Sequence, residues 1–247
     1  MKILVCIAKA PDTTAKISFT DNDTKFNEAG VTFIINPYDE MYALVRAIEL
    51  KEAGLANEIH LVSVGGADTD AIIRKALALG GDSAFRIDAA TNDPYTIGAQ
   101  IADLVQKNGY DLVLTGKESI DYNNGAVGAV IAGILGYNYI GNASKLELSG
   151  AEATVSREIE GGEETLAVGL PLVVACQKGM AEPRIPNMRG IMAARTKPLT
   201  VVPAVDASAL SSVTRYEMPP AKQGVKLFTV DQMDDLVAAL INDAKVL

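Results

Sequence analysis

Short apolar runs alternate with helical segments through the first half of the chain, and this alternation constrains the fold most. Four runs have the length and composition of buried strands, at residues 3–7, 59–64, 84–87 and 111–115. Because helical segments separate them, consecutive strands are expected to run in the same direction and to be covered by helices on both faces. The pattern predicts an α/β protein with a mostly parallel, doubly wound sheet.

Two of the predicted helices have clear start and stop signals. Asn36 is expected to cap a helix that Pro37 opens, and Gly54 follows the end of that helix. Asp93 and Pro94 give the same kind of start to a second helix. These signals place both helices between predicted strands.

One uncharged stretch is long enough in principle to cross a membrane. It covers the 23 residues 122–144, but asparagines and glycines interrupt it. A buried helix followed by a turn and a strand is the interpretation that fits this pattern. No membrane insertion is expected.

The run from residue 157 to 198 contains three successive signals. Alternating polar and apolar residues flank Gly161 and Gly162, a usual two-residue hairpin turn. Residues 170–175 form a continuous apolar run that suits a fully buried strand. The stretch after Arg184 carries several basic residues and no acidic one, although the whole chain has a net charge of -9.

The sequence contains few of the residues and motifs that are typical of catalytic sites. His60 is the only histidine and lies in a strand-like segment, where a packed or rim position is typical. Cys6 and Cys176 fall within predicted core strands and are expected to be reduced and buried. No cluster of metal-ligand residues and no GxSxG motif is present. The residues therefore predict binding and positioning, with no catalytic residue and no metal.

Three polar or glycine-rich loops follow predicted strands, at residues 8–14, 65–68 and 116–125. Ligands of open α/β sheets bind outside the carboxyl ends of the strands, so these loops predict a binding cleft. Gly116 and Lys117 begin the last loop, which leads into a helix whose free amides could hold a phosphate. An ordinary loop with a capped helix is the alternative. No GxGxxG or Walker motif indicates a standard NAD fold or a P-loop.

Several motifs together resemble the β subunit of electron-transfer flavoproteins. They are NPYDE at 36–40, LVSVGG at 61–66, LTGKESID at 114–121, RE-I-x-GG-x-ET, LP-x-VV, and EPR followed by IM-x-A. They occur in one consistent order over nearly the whole chain. The resemblance implies a Rossmann-like, adenine nucleotide α-hydrolase-like sheet with an added β-hairpin and a C-terminal arm plus helix.

This resemblance also implies a division of the chain. Residues 1–205 would form a nucleotide-binding α/β domain that includes the hairpin 151–170 and a recognition segment, 182–198. Residues 206–247 would form an arm and a helix that pack on a partner subunit. The residues alone leave two options for this arm, because it could equally tuck back onto its own domain.

In the resembled family the β subunit holds AMP in a structural role, and electron-bifurcating relatives hold a second FAD in the same place. The partner α subunit carries most of the redox FAD. Tyr38 would reach that flavin or, alternatively, cover the first turn of its own helix. Gly125 to Gly128 lack the glutamine and hydroxyl side chains of many members, which leaves main-chain amides to bind phosphate. Carried over by position, the cofactor-binding residues are Cys6, Asn36, Pro37, Tyr38, Asp39, Val64, Gly65, Gly116, Lys117, Glu118, Ser119, Asp121, Asn123, Asn124, Gly125, Ala126 and Val127.

The recognition segment of the family docks acyl-CoA-type dehydrogenases, and electrons pass on to a quinone-linked acceptor. Met188 stands where the family has a leucine. Inward packing of Met188 and Ile191, with the arginines capping the helix, is the alternative. The predicted partner-docking residues are Arg184, Met188, Arg189, Ile191, Met192, Arg195 and Lys197.

Composition and the first residues of the chain indicate which partners and which location to expect. The acidic balance disfavours a nucleic-acid partner, because phosphate backbones require concentrated basic surface. The start of the chain lacks a secretory signal, so a cytoplasmic location is expected. The recognition segment looks more like that of bacterial or anaerobic members. Two other functions stay open: an electron-bifurcating form that NADH reduces, and a stand-alone adenine-nucleotide sensor.

Overall fold

The computed structural model describes residues 1–37, 39–222 and 224–247. Its strands are β1 (Lys2–Cys6), β2 (Lys9–Pro11), β3 (Phe19–Thr20), β4 (Lys25–Phe26), β5 (Phe33–Ile35), β6 (Glu58–Val64), β7 (Ser83–Asp88), β8 (Leu112–Gly116), β9 (Asn138–Ser149), β10 (Glu152–Ile159), β11 (Gly162–Gly169), β12 (Leu172–Cys176) and β13 (Leu199–Pro203). Its α-helices are α1 (Asp39–Glu52), α2 (Asp70–Leu79), α3 (Pro94–Asn108), α4 (Val127–Leu135), α5 (Met188–Ala194) and α6 (Met233–Ala239). Short 3₁₀ turns lie at Ala67–Thr69 and Val230–Gln232, and a π turn at Leu240–Ala244.

Nine strands form one sheet in the order β11-β10-β9-β12-β8-β1-β6-β7-β13. Along this order, every neighbouring pair from β9 through β12 and onward to β13 is parallel, and the two pairs of this sheet that involve β10 are antiparallel. The four predicted strands are β1, β6, β7 and β8, each within one residue of its predicted bounds. The predicted doubly wound, mostly parallel fold is confirmed.

Apolar side chains on the two faces of the sheet form two separate clusters. Ile3 and Val5 of β1 join the cluster that includes α1 and α2. Leu4, between them, joins the cluster that includes α3 and α4. This alternation follows from the two-residue period of a strand, and it gives each face its own layer of helices. All five residues of β12 are buried, as predicted, but the strand begins two residues after the start of the predicted run, since Leu170 is half-buried and Pro171 is exposed.

The two predicted helix starts have different outcomes. Asp93 caps α3 as predicted, because its carboxylate accepts a hydrogen bond from the Thr96 amide at 2.8 Å. Helix α1 begins only at Asp39, and the predicted cap by Asn36 is wrong. The Asn36 amide group instead bonds to Glu118 and Ile120, far away in sequence. The Asn36 side chain therefore bonds to residues that are distant in sequence and does not cap the start of α1.

The hairpin formed by β10 and β11 is confirmed, but its turn lies one residue earlier than predicted. Ile159 pairs with Gly162, so the two loop residues are Glu160 and Gly161. Gly161 has a φ of 82°, the left-handed backbone that such a turn requires, whereas Gly162 already belongs to the strand.

The uncharged stretch forms α4, a turn and the start of β9, which confirms the prediction for it. Burial in α4 is limited to Gly128, Ile131 and Ala132, so the helix is less buried than expected. Among the described residues, no helix has both the length and the apolarity to cross a membrane.

The arm divides into two parts. Val205 and Ser211 hydrogen-bond to Gln100 and Asp93 of the same domain, so the first part tucks back onto the sheet domain. From residue 217 onward, the hydrogen bonds and ion pairs of the described residues stay within this segment itself, such as the pair of Lys226 with Asp243. We call residues 205–216 the anchored arm and residues 217–247 the tail.

Candidate functional site

A cleft of about 570 Å³ opens at the carboxyl ends of β1, β6 and β8. Its walls come from the segments that follow these strands, together with the first turns of α3 and α4. All three loops predicted from the sequence contribute to it, through Ala8, Gly65 and Gly116 among others. Parallel strands end at one edge of a sheet, which is why segments distant in sequence meet there.

Ten of the predicted cofactor-binding residues line this cleft. They are Cys6, Val64, Gly65, Gly116, Lys117, Glu118, Ser119, Asp121, Asn124 and Val127. The other described members of the predicted set do not contribute to its lining; they are Asn36, Pro37, Asp39, Asn123, Gly125 and Ala126. Tyr38 lies outside the described residues.

Asn36 and Asp39 support the cleft from behind. The Asn36 side chain donates to the Glu118 carbonyl at 2.8 Å and accepts from the Ile120 amide at 3.1 Å. The Asp39 carboxylate accepts from the Glu118 amide at 3.3 Å. These bonds fix the loop after β8, so both residues position the wall of the cleft.

The floor of the cleft contains a buried hydroxyl without a partner. Thr115 is 3% exposed, and its Oγ1 atom has no hydrogen-bond partner among the described residues. It faces Gly128 in the first turn of α4, where an added Cβ would lie only 2.9 Å from that oxygen. No side chain caps α4 at Ala126. The Asn124 side chain accepts a hydrogen bond from the Ala126 amide at 3.0 Å, so the amides that follow Ala126 in the first turn of α4 and the Thr115 hydroxyl are the groups that the floor offers to a ligand.

Glu40 is a buried carboxyl group in the wall of the cleft. It is 7% exposed, and its Oε2 atom accepts a hydrogen bond from the Ala8 amide at 2.5 Å. Burial raises the pKa of Glu40 to about 8, and the nearby Asp121 carboxylate adds to this. Glu40 is therefore mostly neutral at pH 7, which limits the negative charge that the cleft presents.

Acidic side chains nevertheless outnumber basic ones around the cleft. Glu28, Glu40, Asp68, Glu118 and Asp121 face Lys9 and Lys117. Lys9 already forms ion pairs with Glu28 and Asp68, and Lys117 lies 3.5 Å from Glu118. An anion in this cleft would have to bind to main-chain amides, and a ligand with few negative charges suits it best.

The glycine turn after β6 is held in place by a buried arginine. Arg86 donates to the Gly65 carbonyl at 3.0 Å and pairs with Asp88. An added Cβ at Gly65 would approach the Thr69 side chain to 2.6 Å, so any larger residue at this position would have to displace Thr69.

One side of the cleft was not predicted from the sequence. Residues 89–92, which follow β7, and the first turns of α3 complete the wall, and Glu40 and Thr115 lie inside it. The rule that ligands bind at carboxyl ends of strands would also have included the loop after β7. The burial of Glu40 and the free hydroxyl of Thr115 depend on tertiary neighbours, for which the sequence contains no signal.

A second cleft of about 970 Å³ lies beside the first. The strand pairs β2–β5 and β3–β4, which the sequence did not predict, contribute to its walls. Aromatic rings are frequent in it, including those of Phe19, Phe33, Tyr122 and Tyr216.

The recognition segment folds as predicted into a short helix, α5, and Asn187 caps it through the Gly190 amide. Met188 is 73% exposed and Met192 is 56% exposed, so the alternative in which Met188 packs inward is wrong for this chain. Ile185, which is not among the predicted docking residues, is 93% exposed in the same segment.

Two basic residues of this segment already have partners within the chain. Arg184 forms a two-bond pair with Glu52 of α1 at 2.8 and 3.0 Å. The Lys197 ammonium group donates to the carbonyls of Leu77 and Gly81 at the end of α2. Both charges therefore hold α5 against the domain, and Arg189 and Arg195 remain as the basic residues beside the exposed apolar side chains.

The other side chains that could take part in chemistry lie in surroundings that are typical of residues with a structural role. His60 bonds to the Tyr110 hydroxyl at 2.9 Å and packs edge-on against Phe85, as expected for a packed histidine. Cys6 and Cys176 are free and buried, and burial raises the pKa of both thiols far above their usual range. No cluster of metal-ligand side chains occurs within the described ranges.

Comparison with known proteins yields one consistent result. Residues 23–207 match the family model described as the electron transfer flavoprotein domain. An electron transfer flavoprotein subunit beta from Syntrophomonas wolfei is 36% identical over 92% of this chain and 90% of its own length. The proteins of the same description from Bacillus subtilis and Homo sapiens are 35% and 34% identical, and the matches cover at least 96% of both chains compared.

Proposed function

This chain belongs to the electron transfer flavoprotein family as a β subunit, and from that premise we propose that it binds an adenine nucleotide while positioning the FAD of a partner α subunit. The flavin supplies the electron-transfer chemistry when it is bound. The residues of this chain bind, orient and shield, and none of them makes or breaks a bond. The expected cytoplasmic location is part of this proposal.

The ligand of the first cleft is AMP. The unpartnered Thr115 hydroxyl, nine-tenths buried and beside the uncapped start of α4, is the single observation that carries this assignment. A phosphate at that point would receive hydrogen bonds from helix amides without needing a cation. The acidic lining favours a monophosphate over a more highly charged nucleotide, and the cleft volume lies within the range of about 300–1,000 Å³ typical of ligand sites.

The second cleft favours one alternative ligand. Its position beside the first cleft would give a dinucleotide room for its second half, so FAD is the second candidate, as in an electron-bifurcating form that NADH reduces. This alternative changes the ligand and leaves the site unchanged.

Nucleotide content separates these candidates. The heterodimer is purified without added nucleotide, denatured, and its released small molecules are quantified by mass. One AMP and one FAD per heterodimer is the expected result, whereas two FAD and no AMP indicates the bifurcating form. A chain that copurifies with no flavoprotein would instead match the stand-alone adenine-nucleotide sensor.

The α subunit is proposed to cover the tail. Val225, Leu227 and Val230 are each at least 80% exposed, although they are apolar. Isolated exposed apolar residues are common, but a continuous exposed segment of this kind is typical of an interface. The anchored arm would fix the starting point from which the tail extends across the partner.

Acyl-CoA-type dehydrogenases are the proposed electron donors, and a quinone-linked acceptor would receive the electrons. The docking patch consists of the exposed apolar side chains of Ile185, Met188, Ile191 and Met192, with Arg189 and Arg195 beside it. Methionines adapt to differently shaped partners, and the arginines would steer acidic ones. Arg184 and Lys197 belong to the predicted docking residues, but we now assign to them only the role of holding α5 against the domain.

Substitution of Met188 tests the docking patch. Met188→Ala should slow electron transfer from a dehydrogenase about tenfold or more, because hot-spot truncations cost upwards of 1–2 kcal/mol. Stopped-flow reduction of the heterodimer by the reduced dehydrogenase measures this rate. Leu55→Ala, which removes another exposed apolar side chain, is the control. Equal rates in both variants would remove Met188 from the docking patch.

A further inference from the structure

The two clefts share part of their walls. Five residues line both of them: Lys9, Glu28, Asn92, Asp121 and Tyr122. Because these side chains stand between the clefts, their positions decide whether a ligand can extend from one cleft into the other. We call this group the shared wall.

Two hydrogen-bonded side-chain pairs stand in the shared wall. On one side, Lys9 contacts Glu28 at 3.3 Å. On the other, the Asn92 amide donates to the Tyr122 hydroxyl at 2.9 Å. Tyr122 is 40% exposed, so packing alone does not fix its ring.

The anchored arm supplies the support that Tyr122 lacks. The Tyr216 hydroxyl lies 3.0 Å from the Tyr122 hydroxyl. The Tyr216 ring stacks on Phe19, with 4.8 Å between ring centroids and 9° between ring planes. Burial and the bond to Tyr216 raise the pKa of Tyr122 far above its usual range, so its hydroxyl keeps the proton that this chain of bonds requires.

Other contacts attach the anchored arm beside Asn92 and beside Phe19. Asp93, next to Asn92, accepts hydrogen bonds from the amide and the hydroxyl of Ser211 at 2.9 and 2.6 Å. The Tyr216 amide donates to the Asp23 carbonyl at 2.7 Å. The arm therefore holds both ends of the Asn92–Tyr122 pair, and a shift of the arm would release that pair.

We propose that Tyr122 and Asn92, held by Tyr216 of the anchored arm, are specificity-determining residues that confine the ligand of the first cleft to a mononucleotide, and that displacing them joins the two clefts into a site for an adenine dinucleotide. This inference rests on the proposed nucleotide-binding function. It assigns the choice between AMP and FAD to a wall that lies beyond the phosphate-binding floor.

Two substitutions and one control test the shared wall. Tyr122→Ala removes the ring between the clefts, and Tyr216→Phe removes one hydroxyl while keeping the stack on Phe19. Tyr95→Ala alters a tyrosine that is 37% exposed and lines neither cleft. Each heterodimer is equilibrated with equal concentrations of AMP and FAD, separated from free ligand, and extracted for quantification by mass. One FAD is attributed to the α subunit.

The wild type and Tyr95→Ala are expected to retain AMP in this chain. In Tyr122→Ala the ratio of bound FAD to bound AMP should rise about tenfold or more, and in Tyr216→Phe a few-fold, since tenfold corresponds to about 1.4 kcal/mol. Unchanged melting temperatures and heterodimer yields would show that the variants fold.

An unchanged ratio in Tyr122→Ala, with nucleotide still bound, would overturn the role of the shared wall and leave the nucleotide site intact. A wild type that already holds two FAD would also overturn it, because a closed wall excludes the longer ligand. Absence of any nucleotide beyond one FAD in every heterodimer would overturn the proposed function itself.

Discussion

Strand β12 and the tail are both rich in apolar residues, yet their burial is opposite. Every residue of β12 is buried between β9 and β8, whereas Leu227 and Val230 of the tail are 87% and 90% exposed. Apolar composition therefore does not decide burial in this molecule. Neighbouring strands of the same chain cover β12, whereas no other segment among the described residues covers Leu227 and Val230 in this way.

The cleft floor resembles the tail in one respect, because it too has groups that the chain does not satisfy. Within the described part of the chain, Thr115 offers a buried hydroxyl without a partner, and no side chain caps α4 at Ala126. The tail offers apolar surface and the cleft offers polar groups. The difference indicates two kinds of missing partner: a protein surface for the tail and a small polar ligand for the cleft.

Replacing one leucine in the sheet and one in the tail should give the largest difference in stability between these two regions. Leu114→Ala in β8 should lower the free energy of unfolding by about 3 kcal/mol, because it leaves a cavity at a fully buried position. Leu227→Ala in the tail should change it by less than about 0.5 kcal/mol. Urea unfolding of the isolated chain measures both values. A loss at Leu227 equal to that at Leu114 would mean that the tail packs on its own domain.

Glu40→Gln tests the cost of the buried carboxyl group in the cleft wall. The pKa of Glu40 rises from an ordinary 4.5 to about 8, so the folded chain keeps a proton that the unfolded chain loses in this range. Stability from this group is fully present below pH 4.5 and is lost as the pH rises towards 8. The slope is at most about 1.4 kcal/mol per pH unit.

The glutamine variant keeps an acceptor for the Ala8 amide but cannot titrate. Its free energy of unfolding should therefore decline less than that of the wild type between pH 5 and pH 8, as followed by urea unfolding at each pH. Parallel pH profiles for the two proteins would contradict the neutral state assigned to Glu40.

Thr115→Val tests the contrast between satisfied and unsatisfied polar groups, and its expected effect on stability is smaller than that of Leu114→Ala. Removing a buried hydroxyl that has no partner should raise the free energy of unfolding of the nucleotide-free chain by about 1 kcal/mol. The same change should weaken AMP binding about tenfold, as measured by calorimetry. Thr115→Ser keeps the hydroxyl and serves as the control. Tighter or equal AMP binding in the valine variant would exclude Thr115 from the phosphate site.

Local sequence signals were sufficient for much of the fold. The four strands at the centre and one side of the sheet follow from apolar runs, and α3 follows from Asp93 and Pro94, because strand periodicity and helix capping involve residues close in sequence. The helix cap assigned to Asn36 failed for the opposite reason. Its amide found partners 82 and 84 residues away, and no local rule anticipates them.

The sequence by itself determined that this chain is a doubly wound α/β protein of the electron transfer flavoprotein family, with a cleft at the carboxyl ends of its strands. Only the tertiary structure decided which residues line the cleft, that Glu40 is buried there, and that Tyr216 reaches Tyr122 across 94 residues. Secondary structure depends on patterns within a few residues. A site depends on groups that distant segments bring together, and burial changes the chemistry of those groups.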